Sequence, residues 1–268
     1  LGDRPLNQIT PAEIQKLYAH LKKRGRVRKH KKYGYQLSDS MVHCIHTLLH
    51  GAMGAAEQLR LIPRNPVADV TAPKQKSPPK QILNDEQLDT FMAAIQADDI
   101  WRDFFYTELT TGLRLGEICG LRWEDFDAEH GVLKIQRTIH VEKGGVLTVG
   151  DTKTYAGTRK IVLPASTVQV LCERKNTTLT EWIFSNPLKP ELPVNPRTAY
   201  SRLKALLKSA GLPSIRFHDL RHTFSTHALS SGVDAKTLSG ILGHSRASFT
   251  LDTYTHVTGD MQKRASEV

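Results

Sequence analysis

Residues 72–82 constrain this chain most. Ala-Pro-Lys-Gln-Lys-Ser-Pro-Pro-Lys-Gln holds three prolines and three lysines and shows no apolar periodicity. Prolines remove backbone donors and favour extended backbone, so neither a helix nor an interior strand runs through this stretch. A core cannot pass across it. The chain therefore divides into a domain over 1–71, a linker over 72–82 and a larger domain over 83–268.

Charge divides at the same place. Residues 1–82 hold 15 Lys/Arg against 5 Asp/Glu, whereas residues 83–268 hold 22 of each. The whole formal excess of +10 thus lies in the first third. Much of it is concentrated in Lys22, Lys23, Arg24, Arg26, Arg28, Lys29, Lys31 and Lys32. A charge run by itself reads as a solvated loop or a sorting signal. Inside a helical domain that carries the entire net charge, it points to contact with DNA phosphates.

The pattern predicts mostly helix. Thr10-Pro11 opens a helix over 11–21, with Thr10 as N-cap and Glu13 completing a capping box. A second helix covers 38–60. After the linker, Asn84 and Gln87 cap a third. Further helices are expected over 100–111, 114–121, 166–175, 196–210, 218–231, 234–242 and 248–256. Between them the period changes to two. Val132, Leu133, Ile135, Ile139 and Val141 read as one strand, followed after Gly144-Gly145 by strands over 146–149 and 159–163. The fold class is mainly α with one small antiparallel β-sheet.

Several classes are excluded. No stretch approaches the roughly 18 apolar residues of a membrane span, and no Gly-x-x-x-x-Gly-Lys-Ser/Thr cradle for a nucleotide occurs. The three cysteines, Cys44, Cys119 and Cys172, are odd in number and widely spaced, which fits reduced thiols of a cytosolic protein and places the chain in the cytoplasm. His218 and His222 stand four apart, a spacing of helical zinc pairs. Asp219, however, follows His218 where His-Glu-x-x-His needs glutamate. His43, His46 and His50 share a helical face without a fourth ligand. No metal is expected.

The remaining polar residues suit one chemistry. Arg114, Lys153, His218, Arg221, His244 and Tyr254 follow in that order. The two non-bridging oxygens of a phosphodiester gain charge as a fifth oxygen attacks. Guanidinium groups meet that charge with planar, paired donors. Arg114 and Arg221 are the candidate clamps, and Glu117, one turn after Arg114, is placed to brace it. Tyr254 is the candidate nucleophile, because a phenol ionises far more readily than serine. Lys153, in a Thr-Lys-Thr turn between strands, is placed for a hairpin tip entering a groove. His218 and His244 would bond the phosphate or move protons, while His222 reads as a bracing residue.

The words around these residues are Thr-Gly-Leu-Arg-Leu-Gly-Glu at 111–117, Thr-Lys-Thr at 152–154, His-Asp-Leu-Arg-His at 218–222, Leu-Gly-His-Ser at 242–245 and Asp-Thr-Tyr-Thr-His-Val at 252–257. Taken in order, they resemble the tyrosine recombinases, the lambda-integrase-like family. The run from Gly34-Tyr35-Gln36-Leu37-Ser38 to Asn65-Pro66-Val67 is similar to integrases of Gram-positive phages and conjugative elements. The resemblance implies a helical core-binding domain over 1–71 and a catalytic domain over 83–268, closing as a clamp on duplex DNA. In that group residues like Leu1–Leu6 follow an earlier helix and a small arm-binding domain, so the first domain is expected to be N-terminally truncated.

The resemblance further implies Lys153 as general acid, a 3′-phosphotyrosyl intermediate on Tyr254, a homotetramer on DNA and a Holliday junction. It requires no cofactor and leaves room for an accessory excision factor. A C-terminal tail over 258–268 would pack on a neighbouring protomer. Rival readings are a chromosome-dimer-resolving recombinase, a type IB topoisomerase with a similar pocket, and a DNA-binding regulator without chemistry.

Overall fold

The structure, a computed structural model, describes residues 2, 4–74, 81–151 and 157–243. Contacts divide the chain into two compact units, Leu1–Pro79 and Lys80–Val268.

In the first unit, α1 (Pro11–Arg24) and α2 (Asp39–Gln58) pack through Ile14, Tyr18, Val42, Met53 and Ala56, joined by Ile9, Ile62 and Val67. The capping box forms. The Glu13 backbone N–H donates to Thr10 Oγ1 at 3.4 Å, and the Thr10 N–H donates to Glu13 Oε2 at 3.0 Å. α1 runs three residues past the predicted end, so Lys22, Lys23 and Arg24 form its last turn instead of a loop. Cations there face the negative end of the helix dipole. Lys22 also pairs with Asp39 at 2.8 Å.

Gly25–Ser38 connects the two helices. Arg26 is half-buried and ties the connection together: its Nε donates to the Gln36 carbonyl at 2.8 Å and its N–H to the Tyr35 carbonyl at 2.9 Å. Arg28, Lys29, Lys31 and Lys32 are exposed. On α2, His43, His46 and His50 form a ladder with ring centroids 5.9 and 6.0 Å apart, and His46 Nδ1 shares a 3.0 Å hydrogen bond with the Tyr18 hydroxyl.

The second unit comprises α3 (Asp85–Gln96), α4 (Arg102–Thr111), α5 (Leu115–Cys119), α6 (Ala165–Thr177), α7 (Pro196–Ser209), α8 (Phe217–Ser230) and α9 (Ala235–Leu242), with short strands among them. α4 is buried on nearly every side. Its Phe104 meets Phe105, Phe184, Trp101 and Phe217 edge-on at the centre of the core. The expected helix over 248–256 lies outside the described residues, as does the tail over 258–268.

The strands differ from the expectation. Among the described residues there are three sheets instead of one, all antiparallel. β1 (Phe126–Asp127), β2 (Val132–Ile135) and β5 (Arg159–Val162) form the first. β3 (Arg137–Val141) and β4 (Leu147–Asp151) form the second, and β6 (Ser185–Asn186) and β7 (Lys189–Pro193) the third. The single strand predicted over 132–141 breaks at Gln136. Its Nε2 donates to Asp125 Oδ1 at 2.7 Å, and Arg137 pairs with Asp125 and Glu124. These bonds turn the chain out of the first sheet and lay β3 against α5. The β6–β7 ribbon was not expected, and it holds Pro190 and Pro193 with Pro187 in its turn, residues that disfavour interior strands. A two-stranded ribbon has open edges that tolerate them.

Candidate active site

Three elements present an arginine to one place. α4 ends at Gly112, which adopts φ 60°, ψ 32°. A side chain is strained there, and a Cβ would lie 2.3 Å from Phe224 Cδ1. This reversal starts α5 two residues later with Arg114 as its N-cap residue. α8 carries Arg221 on its inner face, 1% exposed. β5 carries Arg159, whose side chain is 7% exposed.

Glu117 joins two of them. Its Oε1 accepts from Arg114 Nη1 at 2.7 Å and from Arg159 Nη1 at 3.2 Å. Its Oε2 accepts from Arg159 Nη2 at 2.9 Å and from the Arg114 backbone N–H at 3.0 Å. Burial pushes this carboxyl upward. The hydrogen bonds and charge of Arg159, with those of Arg114, outweigh it and hold Glu117 below its ordinary range. Glu117 is therefore ionised at neutral pH.

The C-terminal end of α9 closes the frame. Arg159 Nε donates to the Ile241 carbonyl at 2.6 Å, Arg221 Nη2 to the Leu242 carbonyl at 2.6 Å, and Arg114 Nη2 to the Gly243 carbonyl at 3.2 Å. The last carbonyls of a helix lack intrahelical partners and carry its negative pole. Three cations satisfy them in sequence. Gly243 makes this geometry available by turning left-handed at φ 65°. Arg221 Nη1 additionally donates to the Gly112 carbonyl at 2.9 Å. Burial, then the neighbouring Arg114, pull Arg221 down to about 10, so it stays cationic at neutral pH.

Beneath this frame lies Glu108 of α4, fully buried, with neither carboxyl oxygen hydrogen-bonded. Burial pushes its pKa well above the ordinary carboxyl value against the pull of Arg221, which favours the neutral form. Three guanidinium groups thus face two carboxyl groups, Glu117 and Glu108, so positive charge is in excess whichever form Glu108 takes. A phosphodiester carries one negative charge that grows towards two as a nucleophile adds, and a preorganised excess of this sign stabilises that growth.

His218 opens α8 at the rim of the frame. The surrounding protein and the charge of Arg221 lower its pKa, against the opposing effect of Asp219. It is neutral at pH 7 and able to bond a phosphate oxygen. His222 is buried and meets His218 edge-on with centroids 4.7 Å apart. Asp219 completes a capping box with Arg216, accepting from its backbone N–H at 2.8 Å, Nε at 3.0 Å and Nη2 at 2.7 Å. It orients the start of α8 and does not face the frame.

Arg114, Glu117, His218 and Arg221 are thus brought together. Lys153, His244 and Tyr254 lie outside the described residues. Of the strands on either side of the segment that holds Lys153, β4 pairs with β3 and β5 with β2 among the described residues. Cys119 is buried and unpaired, with its thiol pushed up by burial and by Glu108. Among the described residues no group of three or more His, Cys, Asp or Glu side chains gathers as a metal site requires. Nor is any helix among them long and apolar enough to cross a membrane.

Arg159 was missed by the sequence reading, which used it only as a strand residue. A signal existed. Arg159 lies two residues before buried Ile161, so it shares the inward face of β5. An inward arginine needs a buried partner.

Residues 81–260 match the phage integrase family. A tyrosine recombinase XerC-like protein of Caldanaerobacter subterraneus is 30% identical over 210 residues, covering 70% of this chain and 53% of the relative. The ICEBs1 integrase of Bacillus subtilis is 27% identical over 282 residues, covering 98% of this chain and 71% of the relative. Against the first of these, the chain spans about half the relative's length. A solved structure of the Tn1549 transposon integrase in complex with transposon right end DNA superposes with a TM-score of 0.82 at 25% identity, covering 100% of this chain and 87% of that one. The match over residues 81–260 and the 30% identity to the XerC-like recombinase lead to one conclusion: the chain belongs to the phage integrase family, among the tyrosine recombinases.

Proposed function

We propose that this chain is a site-specific DNA recombinase that integrates and excises a mobile element. The observation that carries the reading is the frame in which Glu117 and the end of α9 hold Arg114 and Arg221 against one another. Its excess positive charge suits a pentacovalent phosphorus, and it needs no metal or cofactor. The likeness to the ICEBs1 integrase and to an integrase bound to transposon DNA supports a mobile element as the substrate over chromosome-dimer resolution.

In this reading Arg114 and Arg221 bind the non-bridging oxygens, and His218 and His244 bond the same phosphate. Tyr254 Oη forms a bond to phosphorus as the P–O5′ bond breaks. The phenol gives up its proton to a base, and the departing 5′-oxygen takes one from Lys153. The product is a 3′-phosphotyrosyl link and a free 5′-hydroxyl. Attack by the 5′-hydroxyl of a partner duplex reverses the step and rejoins DNA without ATP. Exchange between two duplexes cuts four strands, each with one tyrosine, which calls for four protomers on DNA. Direction is set by an accessory excision factor, and the reaction belongs to the cytoplasm, where its DNA is. The domain over 1–71, with Lys22, Lys23, Arg24, Arg28, Lys29, Lys31 and Lys32, grips the duplex, and the domain over 83–268 cuts it. The tail over 258–268 packs on a neighbouring protomer.

The test is a nicked suicide duplex from the element's own ends, incubated in EDTA and run on a denaturing gel. The expected result is a covalent protein–DNA band that vanishes in Tyr254→Phe. DNA binding without any band in the unaltered chain would overturn the reading.

A further inference from the structure

Arg159 is an unusual component of the frame. It is nearly buried, its side chain 7% exposed against 42% for Arg114, and all three of its guanidinium nitrogens bond protein. Its guanidinium is committed to protein. Nη1 and Nη2 take both oxygens of Glu117, Nη1 also donates to the Gly157 carbonyl at 3.1 Å, and Nε takes the Ile241 carbonyl. Burying an arginine is costly. A strand that needed only packing would carry an aliphatic side chain at this position.

The two ends of its bonding lead to different parts of the reaction. Glu117 also holds Arg114 by Nη1 and by its backbone N–H. Ile241 lies on the last turn of α9, and Gly243, which bonds Arg114 Nη2, immediately precedes His244 in the chain. One planar group thus links the carboxylate that aims a phosphate clamp to the helix end that leads into the His244–Tyr254 segment. From this geometry we infer that Arg159 is a positioning residue for strand cleavage. It sets the direction of Arg114 through Glu117 and the placement of the α9 end through the Ile241 carbonyl, and makes no contact with DNA. The inference rests on the recombinase reading above.

The mechanism makes a pairwise statement. If Arg159 works through Arg114, removing it after Arg114 is gone has little left to disturb, so the two losses do not add. Lysine offers one ammonium in place of a planar fork, so it restores only part of the geometry.

The experiment uses the 268-residue chain and the nicked duplex, with Arg159→Ala, Arg159→Lys, Arg114→Ala and the Arg114→Ala/Arg159→Ala double variant. It measures affinity for an uncut duplex, single-turnover rate of the covalent adduct at saturating DNA, and folded fraction by thermal melt. The expected result is a rate roughly 100-fold lower in Arg159→Ala with affinity within about threefold of the unaltered chain, because misplacement of a clamp by about an ångström costs that much. Arg159→Lys should recover about tenfold of it, and the double variant should be within about threefold of Arg114→Ala. Should Arg159→Ala not fold, Arg159→Lys carries the test: folded, slowed about tenfold and unaltered in affinity. Losses that multiply in the double variant, an Arg159→Lys rate equal to that of the unaltered chain, or a rate that merely follows the folded fraction each overturn the inference while leaving the recombinase reading intact. No adduct from the unaltered chain overturns both.

Discussion

At the scale of single residues, the site is a problem in burying charge. Glu117 is 3% exposed and serves two arginines. Glu117→Gln leaves Arg159 buried without its counter-charge, and breaking such a pair costs about 3–5 kcal/mol. Urea unfolding should show that loss, together with slower adduct formation. Glu108 makes the opposite case. Its carboxyl is raised by burial, so the fold favours the protonated form. Its contribution to stability is fully present below the ordinary carboxyl pKa of 4.5 and is lost as pH rises through the folded value. Glu108→Gln should flatten the decline in stability with rising pH, as followed by urea titrations at several pH values; an unchanged slope would argue that Glu108 is ionised. Arg114, Glu117 and Arg221, singled out by their words, come together in the frame. Arg159 and the three α9 carbonyls were not legible in the sequence, since backbone oxygens carry no sequence signature and Arg159 lies 42 residues from Glu117.

At the scale of elements, caps and turns decide where each functional side chain begins. α8 starts where Asp219 takes three donors from Arg216, and this start fixes the rotation that sends Arg221 inward and His218 to the rim. Burial disfavours the ionised Asp219, but the bonds from Arg216 win and hold its pKa below the ordinary 3.8. Its stabilisation is therefore present above that value and lost as pH falls through the lowered one. Asp219→Ala should cost about 1–2 kcal/mol by thermal melt, most of it at neutral pH. For His218, the lowered pKa means that acid has to go below the ordinary 6.5 before the ring is charged. Adduct formation should keep its rate down to that pH and change below it, and His218→Asn should remove that limb. The helices of the described residues were legible because Thr10, Asn84 and Asn195 cap them as short polar residues do. The sheets were less so. Periodicity over 132–141 runs on through Gln136, and only the side-chain bonds to Asp125 break it.

At the scale of the whole chain, charge and chemistry are segregated. The first 82 residues hold all the net positive charge, and the arginine frame lies in the second unit. Affinity and cleavage should therefore separate experimentally. Replacing Lys29, Lys31 and Lys32 by glutamine should reduce the slope of log affinity against log salt by up to about 0.9 per lost phosphate contact. It should leave the single-turnover rate at saturating DNA unchanged, and a slope unaffected by the triple change would remove this run from the DNA contacts. By itself, the sequence determined the mainly helical character and the family, because helical period and short ordered words are local properties of a chain. Only the tertiary structure decided that the described strands form three sheets, that Arg159 shares Glu117 with Arg114, and that three guanidinium groups bond three successive carbonyls at the end of α9. Those outcomes depend on where distant backbone groups meet, and a buried charge is fixed by whichever partner the fold brings within hydrogen-bonding reach.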